Sequence, residues 1–208
     1  MIRFERPVRW VHQVTAVLML VCLATAAVLY IPSLAATVGR RHLIRLVHIY
    51  AGFGLPVPVL LGWASRAFRD DLRRLNRFSP ADWAWLRGKD RRATVGGRGI
   101  HPVGKYNAGQ KLNAAFAGGA ILVMLGTGTI LTFPDPWPDS LRAGATFVHD
   151  WLFLAIFVVV AGHLWYALRD RASLSGMFLG RVPEEWAARH HPAWLDEHER
   201  RERVAEKS

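Results

Sequence analysis

Four histidines of this chain lie inside apolar stretches: His12, His48, His149 and His163. An ionisable side chain is costly in such surroundings, so a function is the first hypothesis for each. For any one of them, the alternative is a neutral imidazole that hydrogen-bonds to a neighbouring helix. Taken together, the four positions favour chemistry, because their spacing places them in two pairs.

His149 and His163 share one apolar stretch and are 14 residues apart. Fourteen steps of about 100° along an α-helix return to nearly the same face, and the rise between the two residues is about 21 Å. One face of one helix therefore presents an imidazole near each surface of a membrane.

Four segments are apolar enough to cross a membrane, which requires about 20 residues in a helix. We predict spans near residues 10–31, 43–68, 112–133 and 146–168. Pro56 and Pro58 fall in the second span, where a membrane helix accepts a kink if neighbouring groups satisfy the freed carbonyls. The predicted fold is therefore an all-α membrane protein, a four-transmembrane-helix bundle that forms one domain over residues 1–208.

Two polar segments accompany the spans, a loop at 69–111 and a tail at 169–208. Within the loop, residues 79–87 (SPADWAWLR) predict a short surface helix with a Ser or Asp cap. We expect the tail to be partly helical. Surface positions are expected for the remaining histidines, which are His42, His101, His190, His191 and His198.

The distribution of basic residues predicts the orientation. Of the 27 Lys and Arg, 23 lie in three regions: before the first span, from Arg66 to Lys111 around the long loop, and in the tail from Arg169. The positive-inside rule then places both termini and the long loop in the cytoplasm, in a multi-pass protein of the inner (plasma) membrane. His12 and His163 lie at cytoplasmic depth, whereas His48 and His149 lie toward the outside.

Two imidazoles at one depth suit a haem, whose iron takes an axial ligand on each side. An iron with two such ligands has no open position, so it passes electrons instead of binding oxygen or substrate. Two haems in sequence divide a hydrocarbon core of about 30 Å into short steps. Zinc fits less well, because no cluster of three or four ligands falls at one depth. The single cysteine, Cys22, cannot build an iron–sulfur cluster.

Other classes of protein fit the sequence less well. The net charge of +11 does not indicate nucleic-acid binding, since the basic residues flank apolar segments instead of forming one patch. A transporter that relays protons through histidines is disfavoured, because the sequence shows no inverted repeat. A haem-free membrane anchor stays open, and a difference spectrum without b-type absorption is the observation that identifies it.

Three segments of the chain resemble one family. Residues 104–111 (GKYNAGQK) open the third span, residues 181–194 (RVPEEWAARHHPAW) lie in the tail, and basic residues precede Trp10 and His12. They are similar to the gamma subunit of membrane-bound formate dehydrogenases, within the di-haem cytochrome b family of hydrogenases and related molybdenum enzymes. The resemblance covers nearly the whole chain. It departs at Gln13, where the family often has tryptophan, and at Ile49, where it commonly has proline.

The resemblance implies two haems b with the same pairing that depth predicts. His12 and His163 match the ligands of the cytoplasmic-side haem, and His48 and His149 match those of the outer-side haem.

The resemblance also implies a menaquinone site beside the cytoplasmic-side haem, formed by Asn107, Gly109 and Gln110. An amide pair can donate hydrogen bonds to a quinone carbonyl, and a glycine allows close backbone approach. The alternative is that Asn107 and Gly109 only form the turn that enters the third span.

The implied partners are membrane lipid, an iron–sulfur electron-transfer subunit and a molybdenum or tungsten catalytic subunit. Formate is oxidised in the catalytic subunit, since this chain has no formate site. Electrons then pass from the outer to the inner haem and on to menaquinone. The nearest alternative is the same role for a hydrogenase or for a thiosulfate- or sulfite-type molybdenum enzyme.

Overall fold

A computed structural model describes residues 1–88 and 93–207 of the chain. Residues 89–92 of the predicted loop 69–111 lie outside the described residues. The elements in chain order are α1 (Arg6–Tyr30), α2 (Pro32–Val38), α3 (Arg41–Gly54), α4 (Pro56–Gly62), α5 (Arg66–Leu75), α6 (Pro80–Arg87), β1 (Thr94–Val95), β2 (Arg98–Gly99), α7 (Ala108–Thr132), α8 (Asp139–Arg169), α9 (Arg171–Leu179), α10 (Glu184–His190) and α11 (Pro192–Ala205).

Four helical segments are long and apolar enough to cross a membrane: α1, α3 together with α4, α7 and α8. Large apolar side chains on them are widely exposed, among them Leu60 (67%), Leu122 (71%) and Phe147 (64%). Contiguous apolar surface of this kind is unusual on a protein surrounded by water. The prediction of an all-α protein with four transmembrane helices is confirmed, and the chain is an integral membrane protein.

The second membrane helix ends earlier than the sequence predicts. It stops at Gly62, and residues 66–68 belong instead to the amphipathic helix α5. Ala67 and Phe68 raise the apolar count there, but they pack against a cluster of Phe4, Val8 and Tyr106. The expected proline break is present between α3 and α4, where the N–H of Leu55 bonds to the carbonyl of Gly52.

The described residues divide into two compact units. The histidine unit comprises Trp10–Ser65 and Phe116–Trp165, and the terminal unit comprises Met1–Arg9, Arg66–Ala115 and Tyr166–Ser208. The four apolar-segment histidines all belong to the histidine unit. The predicted quinone residues belong to the terminal unit, together with the polar loop and the tail.

The N-terminal segment is anchored to the tail within the terminal unit. The amino group of Met1 donates to the carbonyl of Val182, and Ile2 pairs with Arg181 in an antiparallel bridge. Arg3 is only 2% exposed and lies over the ring of Trp186, with its Cζ 4.6 Å from the ring centroid. The tail is therefore a folded part of the terminal unit.

The surface position expected for His191 is wrong. Its side chain is among the largest that are fully buried. Nδ1 donates to the carbonyl of Gly104 at 2.7 Å, and Nε2 accepts from the guanidinium of Arg3 at 3.0 Å. The charged composition of the tail misled the prediction, because these bonds join residues that are distant in sequence.

The short helix predicted at residues 79–87 is confirmed as α6. Ser79 caps it, and the side chain of Asp82 accepts from the backbone N–H of Ser79 at 2.7 Å. The ammonium of Lys111 donates to the same carboxylate at 2.8 Å, so α6 is tied to the first turn of α7. Burial would raise the pKa of Asp82, but the hydrogen bonds from Lys111 and Ser79 lower it overall.

Candidate functional site

His48 on α3 and His149 on α8 face each other in the histidine unit. Their ring centroids are 6.3 Å apart, and both side chains are half-buried. The sequence predicts these two residues at one depth, and the structure brings them together. We refer to them as the 48–149 pair.

His12 on α1 and His163 on α8 form a second facing pair, which we call the 12–163 pair. Their ring centroids are also 6.3 Å apart. Both rings are exposed, so a flat group between the helices has access to them. Helix α8 thus supplies one histidine to each pair, as its 14-residue spacing predicts.

The separation of the rings suits one metal ion between them. Imidazole nitrogens bind such ions at about 2 Å and each ring centre lies roughly 1 Å further away, so the centroids of two axial imidazoles lie about 6 Å apart. Within residues 1–88 and 93–207, no group of three or more His, Cys, Asp or Glu could hold a metal ion. A pair of axial imidazoles is complete only if the cofactor supplies the other ligands, as the porphyrin of a haem does.

A cavity of about 330 Å³ adjoins the 48–149 pair. Its volume lies in the range of about 300–1,000 Å³ that is usual for small-molecule and cofactor sites. The lining is mainly aliphatic and aromatic, with Arg45 as its basic side chain, and includes Leu23, Phe53, Met124, Leu125, Phe153 and Ile156. An apolar slot with two imidazoles fits a haem. Arg45 can pair with one of its carboxylate substituents, and Asp150 is the acidic residue of the lining.

Two threonines hold the 48–149 pair, and sequence reasoning missed both. Thr25 Oγ1 lies 2.9 Å from Nδ1 of His48, and Thr127 Oγ1 lies 2.9 Å from Nδ1 of His149. Each hydroxyl also donates to a backbone carbonyl of its own helix. The only sequence signal is a threonine inside an apolar span, and Thr129 carries the same signal without a histidine partner.

Asn107 and Gln110 cap the N-terminus of α7 reciprocally. Gln110 Oε1 accepts from the backbone N–H of Asn107 at 3.0 Å, and Asn107 Oδ1 accepts from the N–H of Gln110 at 2.9 Å. This is the capping-box arrangement, so the two residues have the structural role that the sequence left open. The cap uses the oxygen of each amide, which leaves the NH₂ groups as donors.

Gly109 lies close to an aromatic ring that the sequence did not single out. A Cβ at Gly109 would lie 3.4 Å from the indole of Trp85 and 3.4 Å from Asn107 Oδ1. A second cavity, of about 290 Å³, adjoins Trp85, Asn107 and Lys111. Within the terminal unit, Asn107 therefore shares a polar recess with Trp85, and Gly109 lies beside the same ring.

Several known proteins have sequences similar to that of this chain. A family model for prokaryotic cytochrome b561 matches residues 3–180. The nitrate-inducible formate dehydrogenase cytochrome b556(Fdn) subunit of Escherichia coli K12 is 32% identical over 106 residues, which is 50% of this chain and 49% of that relative. This match thus spans about half the length of the relative.

Two further relatives match almost end to end. The formate dehydrogenase cytochrome b556(fdo) subunit of E. coli K12 is 26% identical over 202 residues, or 94% of this chain and 92% of the relative. The formate dehydrogenase cytochrome b556 subunit of Haemophilus influenzae is 24% identical over 207 residues, or 94% and 82%.

Apolar helices that carry facing histidines, together with these matches, define a membrane cytochrome of the b type. More particularly, the chain belongs to the prokaryotic cytochrome b561 family, since the match covers far more than half of it. The family implies haem b, and the two facing histidine pairs fit that group.

Proposed function

We propose that this chain is the di-haem membrane subunit of a formate dehydrogenase-type complex and delivers electrons to menaquinone. The observation that carries the proposal is the presence of two facing histidine pairs with the same 6.3 Å separation. The relatives named as formate dehydrogenase cytochrome b556 subunits support the choice of complex.

Each pair acts by holding a haem b from both sides. A haem with two axial imidazoles carries one electron at a time and has no open coordination position. His12 and His163 hold the cofactor nearer the cytoplasm, and His48 and His149 hold the one nearer the outside. Arg45, which lines the cavity of the 48–149 pair, supplies the cation for a propionate.

The spacing along α8 sets the length of the electron path. Residues 149 and 163 are about 21 Å apart along the helix axis, within a hydrocarbon core of about 30 Å. The two sites therefore divide a crossing that is too long for one efficient step. The aliphatic lining keeps water away from the bound groups.

Menaquinone binds beside Asn107, Gly109 and Gln110 in this proposal. The NH₂ groups of the two amides donate to a quinone carbonyl, while their oxygens keep the N-terminus of α7 in place. Trp85 next to Gly109 offers a ring surface for the quinone. The ammonium of Lys111, which the carboxylate of Asp82 holds in the recess beside Asn107, is a candidate proton donor.

We infer that both termini and the 69–111 loop lie in the cytoplasm of a bacterial inner membrane, because basic residues concentrate there. The iron–sulfur and catalytic subunits then dock on the outer side, near the 48–149 pair. Electrons enter at that pair, cross to the 12–163 pair and reduce menaquinone at the cytoplasmic face. Charge separation of this kind contributes to the proton-motive force.

The proposal is tested by affinity purification from native membranes, followed by identification of the co-purifying subunits and addition of formate. We expect a molybdenum or tungsten subunit and an iron–sulfur subunit, and formate should then reduce b-type absorption. Reduction by hydrogen, thiosulfate or sulfite instead of formate would assign the chain to a different complex. Absence of b-type absorption would refute the proposal.

A further inference from the structure

We propose that Thr25 and Thr127 are positioning residues, which fix His48 and His149 as Nδ1–H tautomers. They thereby lower the reduction potential at the 48–149 pair below that at the 12–163 pair. This inference rests on the proposed function, since it requires haem at both pairs.

The hydrogen bonds give the tautomer. A threonine hydroxyl has one hydrogen, and Thr25 directs it to the carbonyl of Val21 at 2.7 Å. The oxygen of Thr25 can then only accept from His48, so that Nδ1 of His48 carries the proton. Nε2 of His48 is left with its lone pair, which is the atom that a metal needs.

The same arrangement occurs a second time on different helices. Thr127 on α7 donates to the carbonyl of Val123 at 2.9 Å and accepts from Nδ1 of His149 on α8 at 2.9 Å. The ring of His149 packs directly against α7, since a Cβ at Gly128 would lie in ordinary contact with its Cε1, at 3.6 Å. Both ligands of one pair are therefore held in the same way.

The 12–163 pair differs from the 48–149 pair in this respect. Among the residues that the structure describes, the side chains of His12 and His163 have no hydrogen-bond partner. The difference between the pairs has a chemical consequence. A ligand imidazole that donates its other N–H becomes a stronger electron donor to the metal, which favours the oxidised iron and lowers the potential.

A lower potential at the 48–149 pair gives the electron path a direction. Electrons that arrive there move downhill to the 12–163 pair and from it to menaquinone. Four side chains on four helices would thus order the two haems by potential through hydrogen bonds: Thr25, His48, Thr127 and His149.

Redox titration of the purified chain tests the proposal, with Thr25→Val and Thr127→Val as the variants. Valine keeps the shape of threonine and removes the hydroxyl. We expect each variant to raise the potential of the component that His149→Ala removes, and the double variant to raise it further. The other component should stay unchanged, and Thr25→Ser and Thr127→Ser should restore the wild-type potential.

Thr129→Val is the matched control, because Thr129 lies two residues from Thr127 and, among the described residues, its hydroxyl bonds only to the carbonyl of Leu125, at 2.7 Å. Unmoved potentials in haem-replete Thr→Val variants, or an equal shift in Thr129→Val, would overturn the proposal. If the valine variants lose haem, full haem content in the serine variants supports the proposal, and loss in both contradicts it.

A separate measurement distinguishes this proposal from the proposed function. Nitrogen NMR of protein labelled at its histidines reports the tautomer of His48 and His149 before haem is added. Protonated Nδ1 atoms are expected, whereas protonated Nε2 atoms would refute the threonine assignment. A wild-type protein that shows the expected tautomers but binds no haem would refute the proposed function instead.

Discussion

An imidazole that faces another imidazole at 6.3 Å across an apolar slot is arranged for one shared metal centre. His149→Ala should therefore remove about one haem per chain and leave the haem of the 12–163 pair in place. Haem extraction and the difference spectrum measure this loss. His42→Ala is the control, since His42 is an exposed histidine on the same helix as His48. Unchanged haem content in His149→Ala would refute the pairing.

The two functions of Gln110 can be separated by one substitution. Gln110→Glu keeps the oxygen that caps α7 and removes the NH₂ donor, whereas Gln110→Ala removes both. Loss of a hydrogen bond to a quinone that gains charge costs at least about 1.5 kcal/mol, or roughly tenfold in rate. We expect that loss in menaquinone reduction by Gln110→Glu, with both haems retained.

Gln110→Ala should show the same loss of menaquinone reduction and, in addition, a destabilised α7 terminus, at a cost of about 1 kcal/mol. Thermal unfolding in detergent measures this second effect. Normal quinone reduction by Gln110→Glu would assign Gln110 to the capping box alone.

At the scale of the helices, the tail is held through a neutral histidine. Burial, followed by the nearby charge of Arg3, lowers the pKa of His191 to about 3. The ordinary value in an unfolded chain is about 6.5. Below about pH 6.5, His191 binds a proton when the tail is undocked but stays neutral when the tail is docked. The free energy that favours docking therefore falls by about 1.4 kcal/mol for each pH unit of acidification.

Hydrogen exchange of the segment 181–195 at pH 7.5 and pH 5.5 measures this effect, after correction for intrinsic rates. The wild type should lose protection at the lower pH. His191→Gln keeps a donor for Gly104 and an acceptor for Arg3 but does not titrate, so its protection should change little. Equal pH dependence in the two proteins would show that His191 does not control the tail.

The helices differ in how far the local sequence determines their bounds. Apolar length predicts the four membrane helices, and the Ser79 cap predicts α6, because both depend on neighbours along the chain. The spacing of His149 and His163 follows from helix geometry alone. By contrast, the end of the second span depends on Phe68 packing against Phe4 and Tyr106, which no local pattern reveals.

The candidate site likewise contains features that the local sequence predicts and features that depend on contacts between distant residues. The two histidine pairs can be predicted from the depth of each histidine in the membrane, because helix periodicity and the distribution of basic residues indicate that depth. The contacts of Thr25 with His48 and of Thr127 with His149 depend on which helix faces which. Thr129 makes the same bond to a backbone carbonyl but, among the described residues, no hydrogen bond to a histidine. The burial of His191 depends on Gly104 and Arg3, 87 and 188 residues away in sequence.

For the whole molecule, the two compact units carry different parts of the proposed reaction. The histidine unit holds the electron path in an aliphatic surrounding. The terminal unit holds the amides, the Asp82–Lys111 pair and the capped start of α7. Electron transfer needs a dry environment, which matches the apolar composition of the histidine unit. Quinone reduction needs protons, which matches the polar composition of the terminal unit.

The central claim is that the two histidine pairs bind two haems b. Its most direct test is the haem content of the purified wild-type chain, measured together with its paramagnetic resonance spectrum. We expect two b-type haems per chain, both low-spin with two axial imidazoles. A chain without b-type haem, or one whose haems are high-spin with an open coordination position, would contradict it.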